Sequence, residues 1–153
     1  MIEITSYLRT KSGGFTPVPD TTSAPSDPSY VEGAIELKIN GVRILDQELW
    51  DYVDELWSYI SDMVLTLRRE DEAATYFPDQ PIRLSFKRLG GGLVLVSLTY
   101  DDIKRATSVD ERELIEELQR SGTKFFARMK ELLPGNAQGY DDALARLIGV
   151  VNP

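Results

Sequence analysis

The sequence predicts an α+β fold: an antiparallel sheet of about four to five strands, with two main helices packed on one face and a short C-terminal helix. Three observations carry this prediction. Apolar and polar residues alternate on both sides of Asn40-Gly41, apolar residues recur at spacings of three and four along two long stretches, and Gly90-Gly91-Gly92 separates two more alternating runs.

The elements follow in order. Ile2 and Ile4, with Tyr7 or Leu8, read as a short opening strand. Residues 11–33, KSGGFTPVPDTTSAPSDPSYVEG, are rich in Ser, Thr, Gly and Pro and have little to bury. They are expected to form a flexible loop within a single domain spanning 1–153. The PVP in this loop lacks the spacing of a PxxP ligand, so a linker is the simpler reading.

A hairpin comes next. Ile35, Leu37 and Ile39 alternate with Glu36 and Lys38, and Asn40-Gly41 provides the two positive-φ positions of a type I′ turn. A two-residue turn sets Ile39 opposite Val42 and Leu37 opposite Ile44.

Residues 46–70 read as the first main helix. Leu49, Val53, Leu56, Ile60, Met63 and Leu67 form its apolar stripe, and Trp50, Trp57 and Val64 widen it. Asp46 suits the N-cap, while Arg68 and Arg69 suit the last turn, where the helix dipole favours cations. Past a turn-rich connector, Ile82, Leu84 and Phe86 alternate as a strand. The glycines turn the chain into LVLVSLTY, which is apolar on both faces at its start and so is expected to be central in its sheet.

Ser108 with Glu111 has the capping-box spacing, so the second main helix is expected over 109–133, stopped by Pro134-Gly135. Gly122 falls in the apolar phase of that helix and is read as a point of close approach rather than a break. YDDALARLIGVV forms the short last helix.

Composition limits the chemistry. The 153 residues contain no cysteine and no histidine, which removes thiolate nucleophiles, disulfides, Cys or His zinc sites and a Ser-His-Asp triad. No catalytic residues, cofactor or metal ligands are assigned. No apolar run approaches the roughly 18 residues needed to cross a bilayer, and the N-terminus has no signal-peptide pattern, so a cytoplasmic protein is expected.

The net charge of −8 is unevenly placed: residues 1–67 hold eleven acids against four bases, and residues 68–153 hold fourteen against thirteen. Such a field repels nucleic acid and anionic lipid and speeds encounter with a basic protein.

The acidity concentrates in LDQELWDYVDELWSYISDMV, residues 45–64, with six carboxylates and no Lys or Arg. On one continuous helix, Glu48, Asp51, Glu55 and Asp62 would share a sector of about 60° opposite the apolar stripe, with Asp54 to one side. Dipole compensation accounts for Asp46, Glu48 and Asp51, but not for Glu55 and Asp62. Like-charged neighbours at i, i+4 cost roughly 0.2 to 0.5 kcal/mol each, so the pattern does not serve helix stability.

A solvated face is one reading. The functional alternative is a surface for a basic partner, as in an immunity or antitoxin-like inhibitor, carried by Glu48, Asp51, Asp54, Glu55 and Asp62. Two other classes stay open: a carboxylate enzyme using magnesium, and a structural module that self-associates into a homo-oligomer through its tryptophan flank.

Ser121-Gly122-Thr123-Lys124 matches a Ser-x-x-Lys pattern, but has no accompanying Lys-Thr-Gly and reads as coincidence. Gly90 to Gly92 lead into a strand without a Lys-Ser/Thr, which fits a hairpin turn and not a phosphate loop. Asp101-Asp102 and Asp141-Asp142 sit at element junctions, where Asp caps turns and helices. Arg83, Lys87 and Arg88 are read together as the cations of one outward strand face.

Overall fold

The computed structural model describes residues 1–150. The chain is α+β, with antiparallel sheets and three helices. The strands are divided between two sheets. In the first, β1 (Ile2–Arg9) lies between β2 (Phe15–Pro17) and β3 (Glu32–Ile39), and the far edge of β3 is shared by β4 (Val42–Leu45) and the two-residue β5 (Asp51–Tyr52). The second is a meander of β6 (Glu72–Tyr76), β7 (Arg83–Gly90), β8 (Leu93–Tyr100) and β9 (Ile103–Asp110). Helices α1 (Val53–Leu67), α2 (Glu111–Leu132) and α3 (Ala137–Ile148) complete the molecule. The final residue of the predicted last helix, Val151, lies outside the described residues.

The Asn40-Gly41 turn forms as expected, with φ of 49° and 84°, and Ile39 opposes Val42. A bulge after Leu37 then places Leu45, not Ile44, opposite it. The extra residue lets both Ile44 and Leu45 be buried, which an unbroken alternation would not allow. The three glycines Gly90, Gly91 and Gly92 all take positive φ and close the β7–β8 hairpin. β8 is central in its sheet. Val94, Val96 and Leu98 point into the core, while Leu93 remains 42% exposed.

The first main helix begins later than the apolar period predicts. Asp46 does act as a cap, accepting from the Glu48 amide at 2.9 Å, but it opens only a 3-10 turn over Gln47–Leu49. Asp51 and Tyr52 are then drawn into extended pairing with Gly33 and Glu32. From Val53 onward the residues at helical spacing, Val53, Leu56, Trp57, Ile60, Met63, Val64 and Leu67, are all buried.

The second main helix is capped by Asp110, which accepts from the Glu113 amide at 3.0 Å. The predicted cap, Ser108, is held in β9 opposite Leu95. Gly122 sits inside an unbroken α2. A methyl group there would lie 2.4 Å from Leu147 of α3 and 3.1 Å from the Trp57 ring, so the position admits both neighbours.

The buried side chains of both sheets and all three helices form one cluster, in which Trp57, Phe125 and Phe126 stack within 6.5 Å of one another. The indole N–H of Trp57 donates to Ser6 Oγ at 2.9 Å, which satisfies the one polar group that its burial would otherwise strand. Within 11–33, Val18, Thr21 and Val31 are buried. Arg128 of α2 donates to the Thr21 carbonyl and Asn136 to the Pro28 carbonyl, so the segment is fastened at both the α2 and α3 ends.

Candidate functional site

The late start of α1 changes what the five predicted carboxylates can do together. Glu48 lies on the 3-10 turn and Asp51 on β5, so neither belongs to the helix, and the 60° acidic sector does not form. Glu48 and Glu55 are exposed. Asp51 is buried at 4% exposure and accepts from the amides of Tyr52 at 2.7 Å and Asp79 at 3.1 Å. The Asp79 bond fastens the loop after β6 against β5, and Gln80 adds a second by donating to the Trp50 carbonyl. The loop in turn delivers a carboxylate that the sequence reading missed, Asp79.

Glu48, Asp51 and Asp79, with Glu32, line a cleft of about 240 Å³ whose walls also include Trp50 and Tyr52. Glu55 stands close enough to feel this group. Partial burial comes first in holding its carboxyl above the usual range, followed by the charges of Asp54, Asp51 and Asp79. Burial likewise raises Asp51, and the two amide bonds pull in the opposite direction. Among the described residues Glu48, Glu55 and Asp79 make no ion pair.

One cation of the chain already illustrates the chemistry available here. The Arg9 guanidinium lies 3.9 Å above the Trp50 ring and 3.9 Å from the Glu32 carboxylate. Beside it, Tyr30 and Tyr52 pack with ring centroids 5.3 Å apart, and Tyr30 is 57% exposed. An aromatic wall with carboxylates at its rim suits a guanidinium or ammonium group.

The other two predicted carboxylates turn elsewhere. Asp62 is exposed, but it lies 2.5 Å from Arg146 Nε of α3. Asp54 is half-buried and accepts from Tyr140 Oη at 2.8 Å and from the Glu55 amide at 2.9 Å. Asn136 Nδ2 reaches both Tyr140 Oη and the Pro28 carbonyl. This chain of bonds borders a 420 Å³ hollow that also includes Ser58 and Phe126, and it ties α1, α3 and the Pro-rich segment together. Its groups are already used on one another, as expected of a structural network. Among the described residues no three carboxylates are grouped so as to hold a metal ion.

The cations of β7 do not share a face. Arg83 and Lys87 point outward across from Tyr76 and Glu72. Arg88, one residue out of phase, turns to the opposite side and holds Glu111 at 2.7 and 3.1 Å, the Leu67 carbonyl at 2.6 Å and Asp71 at 3.2 Å. It joins the end of α1 to the start of α2 and is committed there. The Ser-x-x-Lys residues are interior to α2, where Thr123 bonds back to the Gln119 carbonyl.

Asp79 was hidden because it sits in FPDQP, a segment with no periodicity, next to prolines that signal a turn and nothing more. Its approach to Glu55 depends on the tertiary bond to Asp51, which no local pattern encodes. No helix among the described residues is long and apolar enough to cross a membrane. Comparison with family models, with curated proteins and with solved structures gives no match.

Proposed function

We propose that this chain is a non-enzymatic protein-binding domain, of the immunity or antitoxin-like inhibitor type, that receives a basic protein on the acidic lip formed by Glu48, Glu55 and Asp79. The observation that carries this reading is the cleft itself: Glu48 and Asp79, which make no ion pair among the described residues, flank an aromatic wall of Trp50 and Tyr52, with Glu55 nearby, while Glu32 is held by Arg9. Carboxylates left unpaired at a surface raise the encounter rate with a cationic partner and select against acidic ones. Asp51 acts from behind the lip by holding Asp79 in place, and Asp54 and Asp62 contribute to the fold beside it.

The test begins with purification from the native host of the protein that binds this chain. Its association rate is then measured at low and high salt, with wild type and with Glu48→Lys, Glu55→Lys and Asp79→Lys combined. The reading expects the rate to fall steeply with salt, and the triple variant to bind slowly at low salt while keeping its fold. A rate indifferent to both changes defeats it.

A further inference from the structure

The second sheet ends in an edge to which no further strand is paired among the described residues. Among the described residues β6 pairs only with β7, in uninterrupted register from Glu72 opposite Lys87 to Tyr76 opposite Arg83. The flanking bonds fix the phase of the ladder: the Phe77 amide donates to the Ile82 carbonyl at 2.9 Å, and the Arg88 amide to the Asp71 carbonyl at 2.7 Å. Residues 71, 73, 75 and 77 therefore direct their peptide groups at β7, while Glu72, Ala74 and Tyr76 direct theirs outward. The Tyr76 carbonyl takes a local bond from Thr75 Oγ1, and among the described residues the peptide groups of Glu72 and Ala74 have no partner. Exposed edges are usually blunted by proline, lysine or a bulge, and EAATY has none of these.

Alongside this edge runs α1. Tyr59, Asp62, Met63 and Thr66, one stripe at helical spacing, form the opposite wall of a groove of about 400 Å³, with Glu70 and Glu72 at one end. Among the described residues no Lys or Arg lines it. Asp62 and Glu72 each have one cation from outside the groove, Arg146 and Arg83, and Glu70 has no ion pair among the described residues. The chain reverses at residues 68–71, so α1 and β6 run in opposite senses. The far end of the groove thus opens toward Glu55, near the start of α1, and toward Asp79, three residues beyond β6.

Resting on the basic-partner reading above, we propose that the partner docks an extended segment into this groove as a strand added to β6. Alternate residues of that segment face the groove, where Asp62 of α1 and Glu70 in the turn after it select Lys or Arg. Its main chain bonds the open peptide groups of Glu72 and Ala74. A segment matching the five residues of β6 spans roughly 17 Å at about 3.3 Å per residue. Continued past Tyr76, it carries its cations onto the lip at Glu55 and Asp79.

The test uses a capped seven-residue peptide of alternating Arg and Val, its counterpart with Glu in place of Arg, and the isotope-labelled full chain. The Arg peptide is expected to give saturable amide shifts across residues 72–76 and to slow hydrogen exchange at the Ala74 amide. Ala74→Pro removes one outward N–H without touching the bonds to β7. It is expected to weaken binding about tenfold or more, the effect of losing roughly one hydrogen bond. Should that variant fail to fold, a probe N-methylated at alternate amides makes the same test on the wild type.

Shifts at Glu48, Glu55 and Asp79 with none at 72–76 overturn the strand-addition proposal and leave the basic-partner reading standing. Equal binding of the Glu peptide overturns both. Silence toward either peptide at 72–76, or pairing of β6 with a second copy in the absence of peptide, also overturns the proposal.

Discussion

Burial holds the Asp54 carboxyl above its ordinary value of 3.8, against the opposing pull of the Tyr140 hydroxyl and the Glu55 amide. The same burial, together with the Asp54 charge, pushes the Tyr140 hydroxyl up. The sign of the consequence for stability follows from which state holds the proton. Just above 3.8 the unfolded chain has released the Asp54 proton while the native state retains it, so the native state binds more protons and stability falls as pH rises through this interval. Above the native pKa the contribution is flat. In Asp54→Asn that fall disappears, and urea midpoints measured across the interval should show a shallower pH dependence than wild type. Tyr140→Phe acts in the opposite direction. It removes the 2.8 Å donor from a half-buried carboxylate, costs about 1 to 2 kcal/mol at neutral pH, and steepens the fall. Were both variants to track the wild-type profile, the bond between these residues would not be shaping the ionisation of Asp54.

At the level of elements, helix packing gives a sharper case. A methyl group at position 122 would lie 2.4 Å from Leu147 and 3.1 Å from the Trp57 ring, so Gly122→Ala should cost about 1 to 3 kcal/mol despite its better helix propensity. Equilibrium denaturation checks this, and a stabilised variant would mean that α3 can withdraw freely.

The position of Gly122 in the apolar phase was legible in the sequence, as were the stripe from Val53 to Leu67, the Asn40-Gly41 turn and the glycine hairpin. In each, local chemistry and burial agree. β9 was not legible, because IKRATSVD lies at a sheet edge and buries only Val109. β6 was not legible either, with only Ala73 buried in EAATY. The start of α1 was misplaced for a different reason. Leu49 and Trp50 continue the helical period, yet the main chain at Asp51 and Tyr52 pairs with β3 across seventeen or more intervening residues, and a tertiary ladder overrides a local pattern. The candidate site inherits that error. Its carboxylates were visible as a dense acidic run, whereas their arrangement depends on Asp51 catching the Asp79 amide.

Across the whole molecule, the two sheets share one core without sharing a ladder. β4 ends the first sheet and lies against β8 and β9 of the second, but no strand pairing joins them. Arg105 of β9 bridges this seam, bonding Asp46 at 2.9 Å and the Ile44 carbonyl at 3.4 Å. Both side chains of the ion pair are mostly shielded, at 25% and 13% exposure, so solvent screens the pair less than an ordinary surface one. Asp46 also caps the 3-10 turn that carries Glu48. One carboxylate therefore couples the closure of the two sheets to the placement of the acidic lip. A double-mutant cycle with Arg105→Met and Asp46→Asn should give a coupling of about 1 to 2 kcal/mol. Each single variant should also speed hydrogen exchange at both β4 and the turn over Gln47–Leu49. A coupling near zero, or exchange that changes on only one side of the seam, would place the joint in the apolar packing of β4 on β8 and β9 and leave the arginine bridge incidental.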